Sequence, residues 1–336
     1  MKALVETLAD VLRQGQKAVL CGIVDDSGSS PRSSGARMLV FADGTFTGSI
    51  GGGAVEGACL NEAAALLHAP EKYRILSFEL TAAQSAESGM VCGGGVTILL
   101  QCLTSGDLPL FEDALNRRDT PMLLTVIPAA GAAPFLALWT TADETAAPLP
   151  AALRTQLARK AATRRPFRLE TEDTRVLAEP LSPPVTVHVA GAGHVGRAIA
   201  HLAHFTGFDV VVLDDRPEFA NAGRFPQARE VRVVKNFQDC LGSLDADDYV
   251  VIVTRGHLHD RHVLAQALCT RAGYVGMIGS RSKRESVYSS LLEEGFTQAD
   301  LDRVHSPIGL DIGAETPEEI GVSVVAELVA VRAGRA

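Results

Sequence analysis

Residues 191–196 read GAGHVG and place Gly191, Gly193 and Gly196 between an apolar run at 185–190 and a helix-like stretch at 197–205. Glycines at this spacing allow a tight turn and close backbone approach. The unpaired N–H groups of the helix start then favour a phosphate. A second apolar run, 209–213, ends in Asp214, where a carboxylate could accept the hydroxyl pair of a ribose. The pattern predicts a Rossmann-type fold and leaves open whether a nucleotide is bound, because fold does not fix function.

Three further clusters could carry chemistry. RGHLHDRH at 255–262 holds His257, His259, Asp260 and His262 after an apolar run at 249–254. It nearly copies the H-x-H-x-D-H signature of metal hydrolases, but Arg261 stands where that signature needs its aspartate. The other readings are a loop site using His257 and Asp260, or helix capping. GMIGSRSKRE at 276–285 ends a strand and crowds Arg281, Lys283 and Arg284 onto the next helix start beside Ser280, an anion pocket in outline. A solvated basic turn explains it equally well.

The last cluster lies near the N-terminus. GSSPRSSGAR (28–37) is a loop with hydroxyls and two arginines, Arg32 and Arg37. GSIGGGAVEG (48–57) brings Gly51, Gly52 and Gly53 to a helix start, with Glu56 one turn inside. Such a loop can turn several N–H groups toward an anion. GMVCGGG (89–95) sets Cys92 beside three glycines ahead of a strand, open enough for a thiolate ligand or nucleophile. The plain alternative for a single cysteine is packing.

The elements that must position these residues divide the 336-residue chain. A helix is expected over 4–12, strands over 18–24, 37–41 and 45–50, a helix over 55–68, and strands over 73–80 and 95–103. Signals weaken after 109, and AEPLSPP at 178–184 reads as a boundary. The expected fold class is α/β. An N-terminal mixed α+β domain (1–105) leads through a connecting region and linker (106–184) to a Rossmann-like, doubly wound parallel-sheet domain (185–336). TPEE at 316–319 reads as a capping box opening the last helix.

Composition narrows the function classes. Lys and Arg number 31 against 40 Asp and Glu, a net charge of −9, which argues against a phosphate-backbone binder and therefore against nucleic acid. No apolar run reaches membrane-spanning length. Glu6 and Asp10 interrupt any signal-peptide pattern, and the six cysteines are scattered, so a cytoplasmic protein is expected.

Together these stretches resemble the xanthine dehydrogenase accessory family of the XdhC/CoxI type over nearly the whole chain. The resemblance rests on GSSPRSSGARML, GSIGGGAVEG and MVCGGG, then on GAGHVGRAIA, LDDRPEFAN, TRGHLHD, YVGMIGSRSKR and SPIGLDIGAETPEEI. It implies a maturation factor that binds the molybdenum cofactor, promotes its sulfuration and inserts it into a molybdenum hydroxylase such as xanthine dehydrogenase or aldehyde oxidase. Implied partners are the client's molybdenum-binding subunit, a cysteine desulfurase and a second copy of the chain. The protein would act as a chaperone more than as a turnover enzyme. The cofactor would sit at or near the domain interface, with Cys92 as its soft ligand and the glycine turns and cations above as its anion contacts. Ala54, Val91 and Arg255 depart from residues common in the family, so a two-thiol mechanism is not available here. Two alternatives stand beside this: an NAD(P)-dependent oxidoreductase with His257 as general acid, and a metal hydrolase at His257, His259 and His262.

Overall fold

The computed structural model describes residues 1–28, 35–80, 94–117, 120–128, 132–141, 149–160 and 165–335. The chain divides into two compact units, Met1–Pro183 and Pro184–Ala336.

The first unit holds two antiparallel sheets. One contains Ala18–Gly28 (β1), Arg37–Phe41 (β2), Phe46–Gly48 (β3), Tyr73–Leu80 (β4) and Gly94–Leu103 (β5), in the order β3-β2-β1-β5-β4. Its central strand is buried on both faces. Val19, Cys21 and Ile23 pack with Cys59, Ala63 and Leu66 of helix α2 (Gly53–His68). Ala18 and Leu20, one residue out of phase, pack with Leu8 and Leu12 of helix α1 (Lys2–Arg13). That alternation follows from the two-residue period of a strand.

Residues 106–184, expected as a connector, instead build all four strands of a second sheet. After helix α3 (Leu108–Asn116) come Met122–Pro128 (β6), Phe135–Trp139 (β7), helix α4 (Ala151–Arg159), Phe167–Glu170 (β8) and Thr174–Pro180 (β9). The strand order is β7-β6-β9-β8. The expected linker AEPLSPP begins inside β9, where Ala178 and Glu179 are buried. Val24 and Leu99 of the first sheet meet Ile127 and Leu177 of the second in one core cluster. The two sheets therefore share apolar surface, which is what orders this stretch.

The second unit carries a parallel sheet of Thr186–Ala190 (β10), Asp209–Asp214 (β11), Glu230–Val233 (β12), Asp248–Ile252 (β13), Tyr274–Met277 (β14) and Val304–His305 (β15). Its order is β12-β11-β10-β13-β14-β15. Helices α5 (His194–Phe205) and α9 (Pro317–Arg332) cover one face through Ile199, Ala203, Val324 and Leu328. Helices α6 (His257–Leu268) and α7 (Arg281–Glu293) cover the other through Val263, Leu264 and Leu291, and a short helix α8 (Gln298–Leu301) precedes β15. This is the doubly wound Rossmann-like architecture expected, with the four inner strands β10, β11, β13 and β14 buried and the edge strands β12 and β15 more open. Thr316 caps α9 by accepting from the Glu319 amide, and Glu319 accepts from the Thr316 amide in return. Among the described residues no helix is long and apolar enough to cross a membrane.

Candidate functional site

Strand order reverses between β10 and β13, so the chain leaves these neighbours in opposite directions and opens a crevice at their C-terminal ends. The glycine turn lies there. A Cβ on Gly191 would sit 2.4 Å from the Val253 carbonyl oxygen, and one on Gly196 would sit 1.8 Å from the Gly191 oxygen. Both positions therefore demand glycine, for packing of turn and helix against strand. Gly193, at the N-cap of α5, has nothing within 4 Å of its Cβ direction. Open space at a helix N-terminus is where a glycine turn of this type can present N–H groups to an anion.

Asp214 closes β11 beside this turn, yet it is buried and already engaged. Its Oδ2 accepts from the Ala192 amide at 2.7 Å, and Arg216 donates to both of its oxygens. Burial raises its carboxyl pKa, but the Arg216 side chain and the Ala192 and Arg216 amides outweigh burial and hold it below the usual carboxylate range. A ribose could reach this carboxylate only by displacing Arg216.

On the β13 side, Asp260 is fully buried in the first turn of α6. It accepts from Thr254 Oγ1 at 2.5 Å and is ion-paired with Lys283 of α7. Burial shifts its carboxyl upward against the opposing pull of Lys283 and Thr254. His257 is exposed at the start of the same helix. Ser280 caps α7 by accepting from the Lys283 amide at 3.3 Å, while Arg281 stays exposed. Of the expected basic cluster, Lys283 is thus committed to Asp260, and Arg284 to the Ser306 carbonyl at 2.9 Å.

The histidines do not converge. His259 packs its ring 5.1 Å from that of Phe237, and His262 lies beside Arg261. Burial, then Arg261 and His259, lowers the His262 pKa. Among the described residues no group of three or more His, Cys, Asp or Glu could hold a metal ion. The hydrolase alternative loses its ligand set.

In the first unit, Gly51, Gly52 and Gly53 all take positive φ, and the turn they form is closed by Glu56. Glu56 Oε2 accepts from Ser49 Oγ at 2.8 Å, the Ile50 amide at 3.1 Å and the Gly52 amide at 3.2 Å. The anion held by this glycine turn is the protein's own.

Arg37 points inward instead of lining the loop. It donates from Nε to Glu179 at 3.0 Å and from Nη2 to Thr125 Oγ1 at 2.6 Å, joining the two sheets. Gly22 makes room, since a Cβ there would meet Arg37 Nη1 at 1.9 Å. Sequence reading missed Glu179 and Arg216, but a glycine inside an apolar strand was a signal for Gly22. Arg32 and Cys92 lie outside the described residues. Burial pushes the Cys21 and Cys102 thiols up, Cys59 to about 12 and Cys240 to about 11. These four remain protonated at neutral pH and are poor soft ligands there.

A parallel sheet with a switch-point crevice and a glycine turn between strand and helix defines a Rossmann-type unit, which follows a two-sheet α+β unit along the chain. Residues 187–328 match the XdhC Rossmann domain and residues 11–79 match the XdhC and CoxI family. The chain belongs to that family. It is 26% identical over 335 residues to a probable xanthine dehydrogenase subunit of Bacillus subtilis, covering 97% of each chain. It is 26% identical over 325 residues to the molybdenum cofactor insertion chaperone PaoD of Escherichia coli, covering 96% of this chain and 86% of PaoD. With the uncharacterized protein YqeB of Escherichia coli it shares 28% identity over 312 residues, but spans only 42% of that protein's length. A crystal structure described as a xanthine dehydrogenase from Bacillus halodurans matches with a TM-score of 0.77 at 26% identity, over 99% of this chain and 96% of that one.

Proposed function

We propose that this chain is a molybdenum cofactor-binding maturation factor that promotes sulfuration of the cofactor and its insertion into a molybdenum hydroxylase. The observation that carries the reading is its similarity along nearly the full length to a protein named as a molybdenum cofactor insertion chaperone, together with both XdhC-type regions. The chain's own chemistry is compatible with it. The cofactor brings its metal on a dithiolene of the pterin, so the protein needs anion contacts and at most one soft ligand. The open space at Gly193, at a helix N-terminus, is where N–H groups can be presented to a phosphate. Cys92 is the cysteine on the family stretch, and four of the remaining five are protonated and committed to packing.

The client is a molybdenum-binding subunit reached by a transient contact, with a cysteine desulfurase as sulfur source and a second copy of the chain as a further partner. The test is a deletion strain. It should contain folded hydroxylase short of active cofactor, and adding purified, cofactor-loaded protein should restore activity. The Cys92→Ser protein should retain and restore several-fold less while melting at nearly the wild-type temperature. Full hydroxylase activity in the deletion strain would sink the chaperone reading. Unchanged cofactor stoichiometry in Cys92→Ser would remove that thiol from the site.

A further inference from the structure

We propose that Arg216 closes the ribose arm of the second unit's crevice, so that the protein excludes NAD(H) and NADP(H) despite its dinucleotide-type glycine turn. A crevice that reads a dinucleotide needs, at the end of the second strand, a carboxylate with oxygens free for the ribose hydroxyls. Asp214 holds that position, and its oxygens are filled. Oδ1 accepts from the Arg216 amide at 3.0 Å and Arg216 Nε at 2.8 Å; Oδ2 accepts from the Ala192 amide at 2.7 Å and Arg216 Nη2 at 3.0 Å. These donors use the roughly four lone-pair sites a carboxylate offers.

The guanidinium that does this is itself held in place. Its carbon lies 3.8 Å from the centroid of the Phe219 ring, which packs against the core of the unit. Swinging Arg216 away forfeits a bidentate charge-assisted pair and a cation–π contact together. The neighbouring carboxylate offers no substitute. Asp215 is paired with Arg255 Nη2 at 2.9 Å and lies 3.8 Å from Arg216 Nε.

A 2′-phosphate fares no better. Asp214 and Asp215 set two negative charges against Arg216 and Arg255, so an entering phosphate would meet two carboxylates, an Arg216 already paired and only the exposed Arg255. The nicotinamide dinucleotide that the fold suggests therefore does not fit the residues present.

This inference rests on the crevice being a ligand site of the proposed maturation factor, and one set of titrations separates the two. Full-length protein is titrated with NADH and with NADPH, following nicotinamide fluorescence, and its pterin content is measured after oxidation in the same preparations. Wild type should show no saturable binding of either dinucleotide below about 1 mM, a weak-affinity limit. Arg216→Ala leaves Asp214 its two backbone donors but frees lone pairs, and should bind NADH at least tenfold more tightly than wild type. Adding Asp214→Asn to Arg216→Ala should abolish that gain, because the gain runs through the carboxylate.

Micromolar binding of NADH or NADPH by wild type overturns the inference. So does a folded Arg216→Ala protein with no gain while pterin loading stays normal, and in that case the chaperone reading survives. If Arg216→Ala does not fold, Arg216→Met keeps an apolar stem against Phe219 but offers Asp214 no side-chain donor, and NADH affinity unchanged from wild type there overturns it equally. Wild type that binds NADH and carries no pterin overturns both readings.

Discussion

Two glycine-rich turns in this chain look alike in sequence and are built differently. In the first unit the turn at 48–53 is closed by Glu56 from within the helix that follows, so turn and carboxylate belong to one local segment. In the second unit the turn at 191–196 is braced by Asp214 from the neighbouring strand, and that carboxylate is clamped by Arg216. Both turns bunch N–H groups, and both give some of them to an anion the protein supplies. A glycine-rich turn ahead of a helix therefore signals donors in need of an anion, without saying whose anion it is. Open space differs too: beside the second turn a Cβ on Gly193 would meet nothing within 4 Å, whereas one on Gly191 or Gly196 would strike backbone.

The sharpest way to break the comparison is Gly196→Ala. The added carbon would lie 1.8 Å from a backbone oxygen and 3.4 Å from a Val189 side-chain carbon, so helix and strand must part. We expect a loss of at least about 4 kcal/mol, the scale on which a structural requirement is broken. A denaturant melt reads it directly, and a loss below ~1 kcal/mol would show that the turn can relax and that glycine is not demanded there.

Removing the internal anions comes next. Asp214→Asn leaves the Arg216 guanidinium half-satisfied and should cost about 3 kcal/mol at neutral pH. Glu56→Gln loses charge-assisted bonds from two amides and a hydroxyl, with no cation stranded, and should cost ~1–2 kcal/mol. The Asp214 cost also has a pH signature. Its carboxyl pKa is lower folded than unfolded, so its stabilisation is fully present above the ordinary carboxylate value near ~4 and is lost as pH falls through the lowered folded value. Melting temperatures of wild type and Asp214→Asn should therefore converge on acidification below about pH 4. A gap that stays constant from pH 7 to pH 2 would mean that Asp214 acts by shape alone.

What was legible in the sequence tracks how local the cause is. The β10–turn–α5 unit announces itself, because a short apolar run, three glycines and a helix follow one another within twenty residues. The second sheet does not. Strand β6, MLLTVIP, is buried at every position but its last, so it shows no alternation. The partner that explains Arg37 lies 142 residues away at Glu179. Arg37 accordingly read as an anion-binding loop residue when it is a buried tie between sheets. Asp260 was legible as a candidate from its loop, but its burial and its pairing with Lys283 are set by the packing of α6 against α7. The three histidines show the converse, since a metal-like spacing along the chain does not survive winding into a helix whose first turns face different neighbours.

The smallest expected effect separates glycines the fold needs from glycines a ligand would need. Gly57 lies in the same GSIGGGAVEG stretch as Gly51, Gly52 and Gly53, but inside helix α2, exposed, without the positive φ of the other three. A Cβ built there meets nothing within 4 Å. Nothing in the fold therefore asks for glycine, and Gly57→Ala should stabilise the protein by roughly 0.5–1 kcal/mol through helix propensity alone. If the melt rises as expected while pterin content stays at the wild-type level, this face of α2 is bare surface. If the melt rises and pterin content falls, the protein keeps a glycine there so that something can lie close against the helix, and the first unit's turn is a binding element in spite of Glu56. A melt that drops would contradict the helical geometry at this position and reopen the local reading of the turn.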